Sequence, residues 1–207
     1  MRYTPKISII GAGSVGTRFA YATIIRGLAR HVVLVDLNKK RAEGEAMDLS
    51  HGAPFYNPVK IEAGDYPAIE DSDLIVITAG RNQNPGETRL DLIRDNTKIF
   101  QAIIPQCMQY APATRFLVVT NPVDVLSYLT YKLSRKPASE VIGAGTVLDS
   151  ARFRYLLGVH CGVDARNVHG YIIGENGDSE FPAWSSVMIG GVPIQAYCYK
   201  CDKRSEC

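Results

Sequence analysis

Four short runs, at residues 7–10, 32–35, 74–78 and 116–120, are almost wholly apolar and rich in β-branched side chains. A strand wetted on one side alternates polar and apolar positions, whereas a run with no polar face is buried on both sides, as in a parallel sheet. Helix-period segments separate them, at about 14–26, 39–49, 90–110 and 123–133, and weaker strands at 59–63 and 141–142 complete the set. Helices between buried strands, joined by right-handed crossovers, predict an α/β fold with a doubly wound parallel sheet. Pro105 lies within the 90–110 segment and predicts a kink or break there. After about Gly145 the pattern changes to a helix at 148–160, a strand at 168–173 and a short polar tail from Gly190. The expected organisation is one domain over residues 1–144 and the start of a second, α+β domain over 145–207. That stretch is not expected to close a core alone, and the chain reads as cut short.

Composition narrows the class further. The chain has 207 residues, 46% of them hydrophobic and 21% charged, which is ordinary for a globular protein and excludes a disordered or fibrous one. The net charge of +2 speaks against nucleic acid or an anionic membrane as partner. No apolar run reaches membrane-spanning length, and no apolar leader precedes the strand at residue 7, so a cytoplasmic location is expected. Of five cysteines, Cys107 and Cys161 fall in helical segments and read as small hydrophobes. Cys198, Cys201 and Cys207 are spaced C-x2-C-x5-C but lack a fourth ligand, so no metal is expected.

The first strand runs into Gly11-Ala12-Gly13-Ser14-Val15-Gly16, which opens a helix, and Asp36 ends the next strand twenty residues after Gly16. The glycine spacing alone is common in tight strand–helix turns. With the strand before it, the helix after it and the acid beyond, it points to dinucleotide binding. Glycines let the backbone approach a pyrophosphate at the helix N-terminus, where free N–H groups favour anions. Asp36 suits a ribose diol and repels a 2′-phosphate, which predicts NAD rather than NADP. Thr78-Ala79-Gly80 and Thr120-Asn121-Pro122 end two further strands, on the edge where doubly wound sheets bind ligands. Residues 81–89, RNQNPGETR, form a polar loop with two arginines, either a solvated connection or a lid that delivers a cation on closing.

Those segments, NQNPGETRL at 82–90, TNPVD at 120–124, GTVLDSAR at 145–152 and GENGDSE at 174–180, resemble in order the motifs of the L-lactate dehydrogenase family, its bacterial members most of all. The resemblance implies a Rossmann domain and NAD-dependent interconversion of pyruvate and L-lactate, the step that serves glycolysis and fermentation, usually in a homotetramer. By the same likeness, NAD contacts fall to Gly11, Gly13, Val15, Gly16, Asp36, Arg41, Tyr66, Gly80, Arg81 and Asn121. Arg152 is the expected anchor for the substrate carboxylate, Arg89 the group that polarises the ketone, and Asn121 a partner of the same oxygen or of the nicotinamide ribose. Gln83, a neutral amide where malate-preferring relatives carry arginine, favours pyruvate over oxaloacetate. Arg154 and His169 correspond to a fructose 1,6-bisphosphate effector site, although a helical arginine and a strand histidine are equally compatible with packing.

The chain departs from the family at Asn176, where a histidine oriented by Asp149 normally exchanges the proton. An amide does not titrate near neutrality, so an impaired enzyme is expected. The alternatives are a dehydrogenase for another 2-oxo acid such as malate and a catalytically silent NAD-binding module. An NAD-dependent glycosidase would need metal ligands that are not found.

Overall fold

The computed structural model describes residues 5–82 and 86–198, and all of these except the side chain of Arg89. They belong to two compact units, Met1–Gly143 and Ala144–Cys207.

In the first unit β1 (Lys6–Ile10), α1 (Ser14–Ile25), β2 (His31–Val35), α2 (Lys39–His51), β3 (Lys60–Ala63) and β4 (Leu74–Ile77) follow one another. Next come α3 (Arg89–Tyr110), β5 (Arg115–Val118), α4 (Val123–Ser134) and β6 (Val141–Gly143). The strands form one sheet in the order β3-β2-β1-β4-β5-β6, every pair parallel. This is the Rossmann order, with its switch point between β1 and β4. Because side chains alternate across a strand, β2 sends Val33 and Val35 to a core with Phe100, Ile104 and Leu126 of α3 and α4. Val32 and Leu34 face the other way, onto Ala20, Ile24, Ala42 and Ala46 of α1 and α2. Both faces are therefore dry, which is why these strands lack a polar side.

Helix α3 runs without a break through Pro105, contrary to expectation. Pro105 and Gln101, whose carbonyl loses its donor, both lie on the exposed side of the helix, where water can replace the missing N–H.

The second unit contains α5 (Val147–Cys161), β7 (Val168–His169), β8 (Ile172–Ile173), β9 (Phe181–Pro182), β10 (Met188–Ile189), β11 (Val192–Pro193) and α6 (Ile194–Cys198). The single strand expected at 168–173 is instead two: β7 joins the sheet β11-β10-β7, while β8 pairs with β9 alone. Gly170 lies at the division, and a Cβ there would come within 2.7 Å of the Phe153 ring, so the chain passes close over that ring as it changes sheets. Contrary to the expectation for this stretch, Val187, Ile189 and Ile194 form a small core of its own under Phe153 and Leu157.

Cys107 is buried, which pushes its thiol up to about 12, whereas Cys161 and Cys198 are half-buried. Cys201 and Cys207 lie outside the described residues. Among the described residues no group of three His, Cys, Asp or Glu side chains is placed to hold a metal. No described helix is long and apolar enough to cross a membrane.

At the amino ends of the strands, His31 Nε2 meets Glu62 Oε1 at 2.8 Å, and Lys60 Nζ meets Glu62 Oε2 at 2.7 Å. Burial holds His31 below its ordinary 6.5, with Lys6 and Lys60 adding to the effect against the pull of Glu62. The bond to Lys60 is the main reason Glu62 lies below its ordinary 4.5. Both folded values are depressed, so these groups stabilise the fold fully at neutral pH. His31 loses its contribution first, as pH falls below about 6.5 and the unfolded chain takes up the proton. Urea unfolding at pH 7 and pH 5 should show a larger loss of stability for the parent than for His31→Gln.

Candidate functional site

The carboxyl edge of the six-stranded sheet is built around the turn from β1 into α1. Gly11 has φ +110°, a conformation reserved for glycine, and its N–H donates to the Val35 carbonyl at 2.7 Å. A Cβ on Gly11 would strike the backbone of Ala79, and one on Gly16 would overlap the Gly11 carbonyl oxygen. Thr78 Oγ1 donates to that same oxygen at 2.7 Å. Gly13 differs: a Cβ there would meet nothing within 4 Å. Two glycines thus permit close packing within the protein, and the third borders open space.

That space lies at the start of α1, whose first N–H groups have no intrahelical acceptor. No side chain caps them, and the first turn carries no acid. An uncapped helix start beside an unfilled glycine fits a phosphate diester. Asp36, just past β2, accepts from Ala12 N–H at 2.7 Å through Oδ2 and from Asn38 N–H at 2.8 Å through Oδ1. The two bonds fix the carboxylate, and each oxygen keeps a lone pair for a ribose hydroxyl.

The chain segments after β4 and β5 are joined at the same edge. Thr120 Oγ1 donates to the Ala79 carbonyl at 2.8 Å. Asn96 of α3 is fully buried. Its Oδ1 accepts from Arg81 N–H at 3.0 Å, while its Nδ2 donates to the Asn121 carbonyl at 2.9 Å. One side-chain amide therefore sets the spacing of two strand-end loops. It was missed because a lone Asn within a helical pattern looks like any polar position, and nothing local reveals that it is buried.

Residues 5–143 match the family model described as lactate/malate dehydrogenase, NAD binding domain, and residues 146–207 match its alpha/beta C-terminal domain. The chain belongs to the lactate/malate dehydrogenase family. Among family relatives, the L-lactate dehydrogenase of Thermoanaerobacter sp. strain X514 is 56% identical over 201 residues, covering 97% of this chain and 65% of the relative. L-lactate dehydrogenase 1 of Clostridium acetobutylicum is 54% identical, covering 98% and 66%. The solved minor L-lactate dehydrogenase of Enterococcus mundtii, in a ligand-bound form, matches with TM-score 0.90 and 46% identity, over 95% of this chain and 63% of that one. This chain spans about two thirds of the length of these relatives. Its first unit is the family's NAD-binding domain, and the glycine turn fits that cofactor.

Of the other expected cofactor residues, Val15 is exposed in the first turn of α1, and Arg41 lies in the first turn of α2 with its N–H donating to Asn38 Oδ1. Tyr66 is half-buried against the core, and burial is the main cause pushing its phenol up to about 12. A Cβ on Gly80 would collide with Thr120. Arg81 is ion-paired through Nε to Asp95 at 2.9 Å and through Nη1 to Glu87. Gln83 and the side chain of Arg89 lie outside the described residues, although the Arg89 backbone begins α3.

In the second unit Asp149 and Arg152 are one turn apart on α5, with Nη1 to Oδ1 at 2.9 Å. Asn176 lies between β8 and β9 and, like Asp149, makes further contacts. Arg154 Nε donates to the Val168 carbonyl at 2.6 Å and Nη2 to the Ala165 carbonyl at 3.5 Å. His169 is exposed on β7.

Two outcomes follow from this geometry. Gly13→Ala should keep the parent melting temperature yet weaken NADH binding by ~10-fold, about 1.4 kcal/mol, because its Cβ enters ligand space rather than protein; fluorescence titration measures this. Asn96→Ala strands the Arg81 N–H and the Asn121 carbonyl and should cost about 1–3 kcal/mol in chemical denaturation.

Proposed function

We propose that this chain carries the site of an NAD-dependent L-lactate dehydrogenase, interconverting pyruvate and L-lactate, with proton transfer impaired at Asn176. The main support is the likeness to proteins named L-lactate dehydrogenase, at 54–56% identity across almost the whole chain. The chemistry supplied by NAD when bound is hydride exchange with the carbon that bears the substrate oxygen.

The chain's own residues do the rest. The start of α1 and Gly13 take the pyrophosphate, and Asp36 takes a ribose diol and disfavours a 2′-phosphate. Arg152 pairs with the substrate carboxylate, a match of planar fork to planar anion. Arg89 polarises the ketone oxygen as negative charge grows there, and Asn121 hydrogen-bonds the same oxygen. Gln83 leaves no cation to hold a second carboxylate, which favours pyruvate over oxaloacetate. Asn176 carries no exchangeable acid proton near neutrality and is too short to stand in for the far nitrogen of an imidazole, so the proton comes from water.

Homo-oligomerisation and a fructose 1,6-bisphosphate site at Arg154 and His169 belong to the same proposal. The effector site has the weaker support, because the bonds from Arg154 to the Val168 and Ala165 carbonyls serve packing without any phosphate.

A second reading, a silent NAD-binding module, is favoured by the amide at position 176. Pyruvate-dependent NADH oxidation by the parent and by Asn176→His separates the two. For an impaired enzyme, histidine should raise the rate by about 10²–10⁴-fold, the usual worth of a positioned acid. NADH binding with no turnover in either protein would favour the silent module.

A further inference from the structure

We infer that Asp149 is an internal competitor for the guanidinium of Arg152, so that in this chain the substrate carboxylate must displace a carboxylate already in place. This rests on Arg152 being the substrate anchor, as proposed above.

The two residues are spaced i, i+3 on α5, which puts their side chains next to each other, and Arg152 Nη1 contacts Asp149 Oδ1 at 2.9 Å. The Arg152 side chain is 64% exposed and that of Asp149 is 21% exposed. An incoming anion therefore reaches the guanidinium easily, while the competitor is held against the protein in the first turn of α5, a position that suits an anion. The two ligands are also chemically alike, since a carboxylate side chain and a 2-oxo acid present the same planar pair of oxygens.

The residue at position 176 bears on the competition. An imidazole there can become a cation and share the charge of Asp149, but the amide of Asn176 cannot. Asp149 and Asn176 make other contacts as well, and these leave the Arg152 contact intact. The amide thus removes the acid and, with it, one cation that could share the charge of Asp149.

Calorimetric titration with oxamate, the unreactive amide counterpart of pyruvate, in saturating NADH tests the inference without turnover. An exposed pair at this spacing is worth about twofold in affinity, and removing a like charge beside the bound carboxylate adds to that. Asp149→Asn should therefore bind oxamate about two- to tenfold more tightly than the parent, and Arg152→Gln should lose binding. Asp149→Ala, measured beside it, guards against a folding defect in one variant, and a loosened α5 would weaken binding rather than tighten it. In an Asn176→His background the gain from Asp149→Asn should vanish or reverse. Unchanged or weaker oxamate binding in both Asp149 variants, with Arg152→Gln still defective, would overturn the competition and leave the anchor standing. Binding that ignores Arg152→Gln, or that is absent from every protein, would remove the anchor and the competition together.

Discussion

The arrangement of the carboxyl edge depends on one close approach, of Gly16 in α1 against the Gly11 carbonyl oxygen. With no side chain at either position, the first turn of the helix packs on the end of β1, and Thr78 reaches across from the neighbouring strand to bond the same oxygen. A parallel sheet buried on both faces has few ways to expose backbone N–H groups. The start of a helix pressed against a strand end is one of them. Gly13, beside that start, borders open space because its two companions take up the packing.

A second layer of polar contacts holds the loops around this turn. Asp36 bridges the turns after β1 and β2 through two backbone N–H groups, and Asn96 bridges the segments after β4 and β5. Each is a short side chain with at least one bond to backbone far away in sequence. Buried or half-buried polar groups must find partners, so these bonds both satisfy the loops and set their spacing. The second unit shows the same economy on a smaller scale, with Arg154 closing on two carbonyls and Arg152 on Asp149.

Much of this was legible before any coordinates. The unbroken apolar strands announced a sheet with two covered faces, and the strand–glycine–helix sequence with Asp36 located the cofactor edge. Where the fold departs from expectation, a residue's surroundings in space overrode a local rule. Pro105 does not break α3, because its missing donor faces solvent. The apolar run 168–173 divides between two sheets, because Gly170 must pass over Phe153. Asn96 escaped notice because its burial comes from three segments meeting.

Periodicity, glycine spacing and residue type determined the class of fold, the dinucleotide turn and the absence of a titratable group at position 176, since each is a property of neighbouring residues. Tertiary structure alone decided which groups are already taken. Arg81 is committed to Asp95 and Glu87, Arg154 to backbone carbonyls, and Arg152 to Asp149. A cation's availability depends on where its counter-ion sits in space, and hydrophobic patterning carries no record of that.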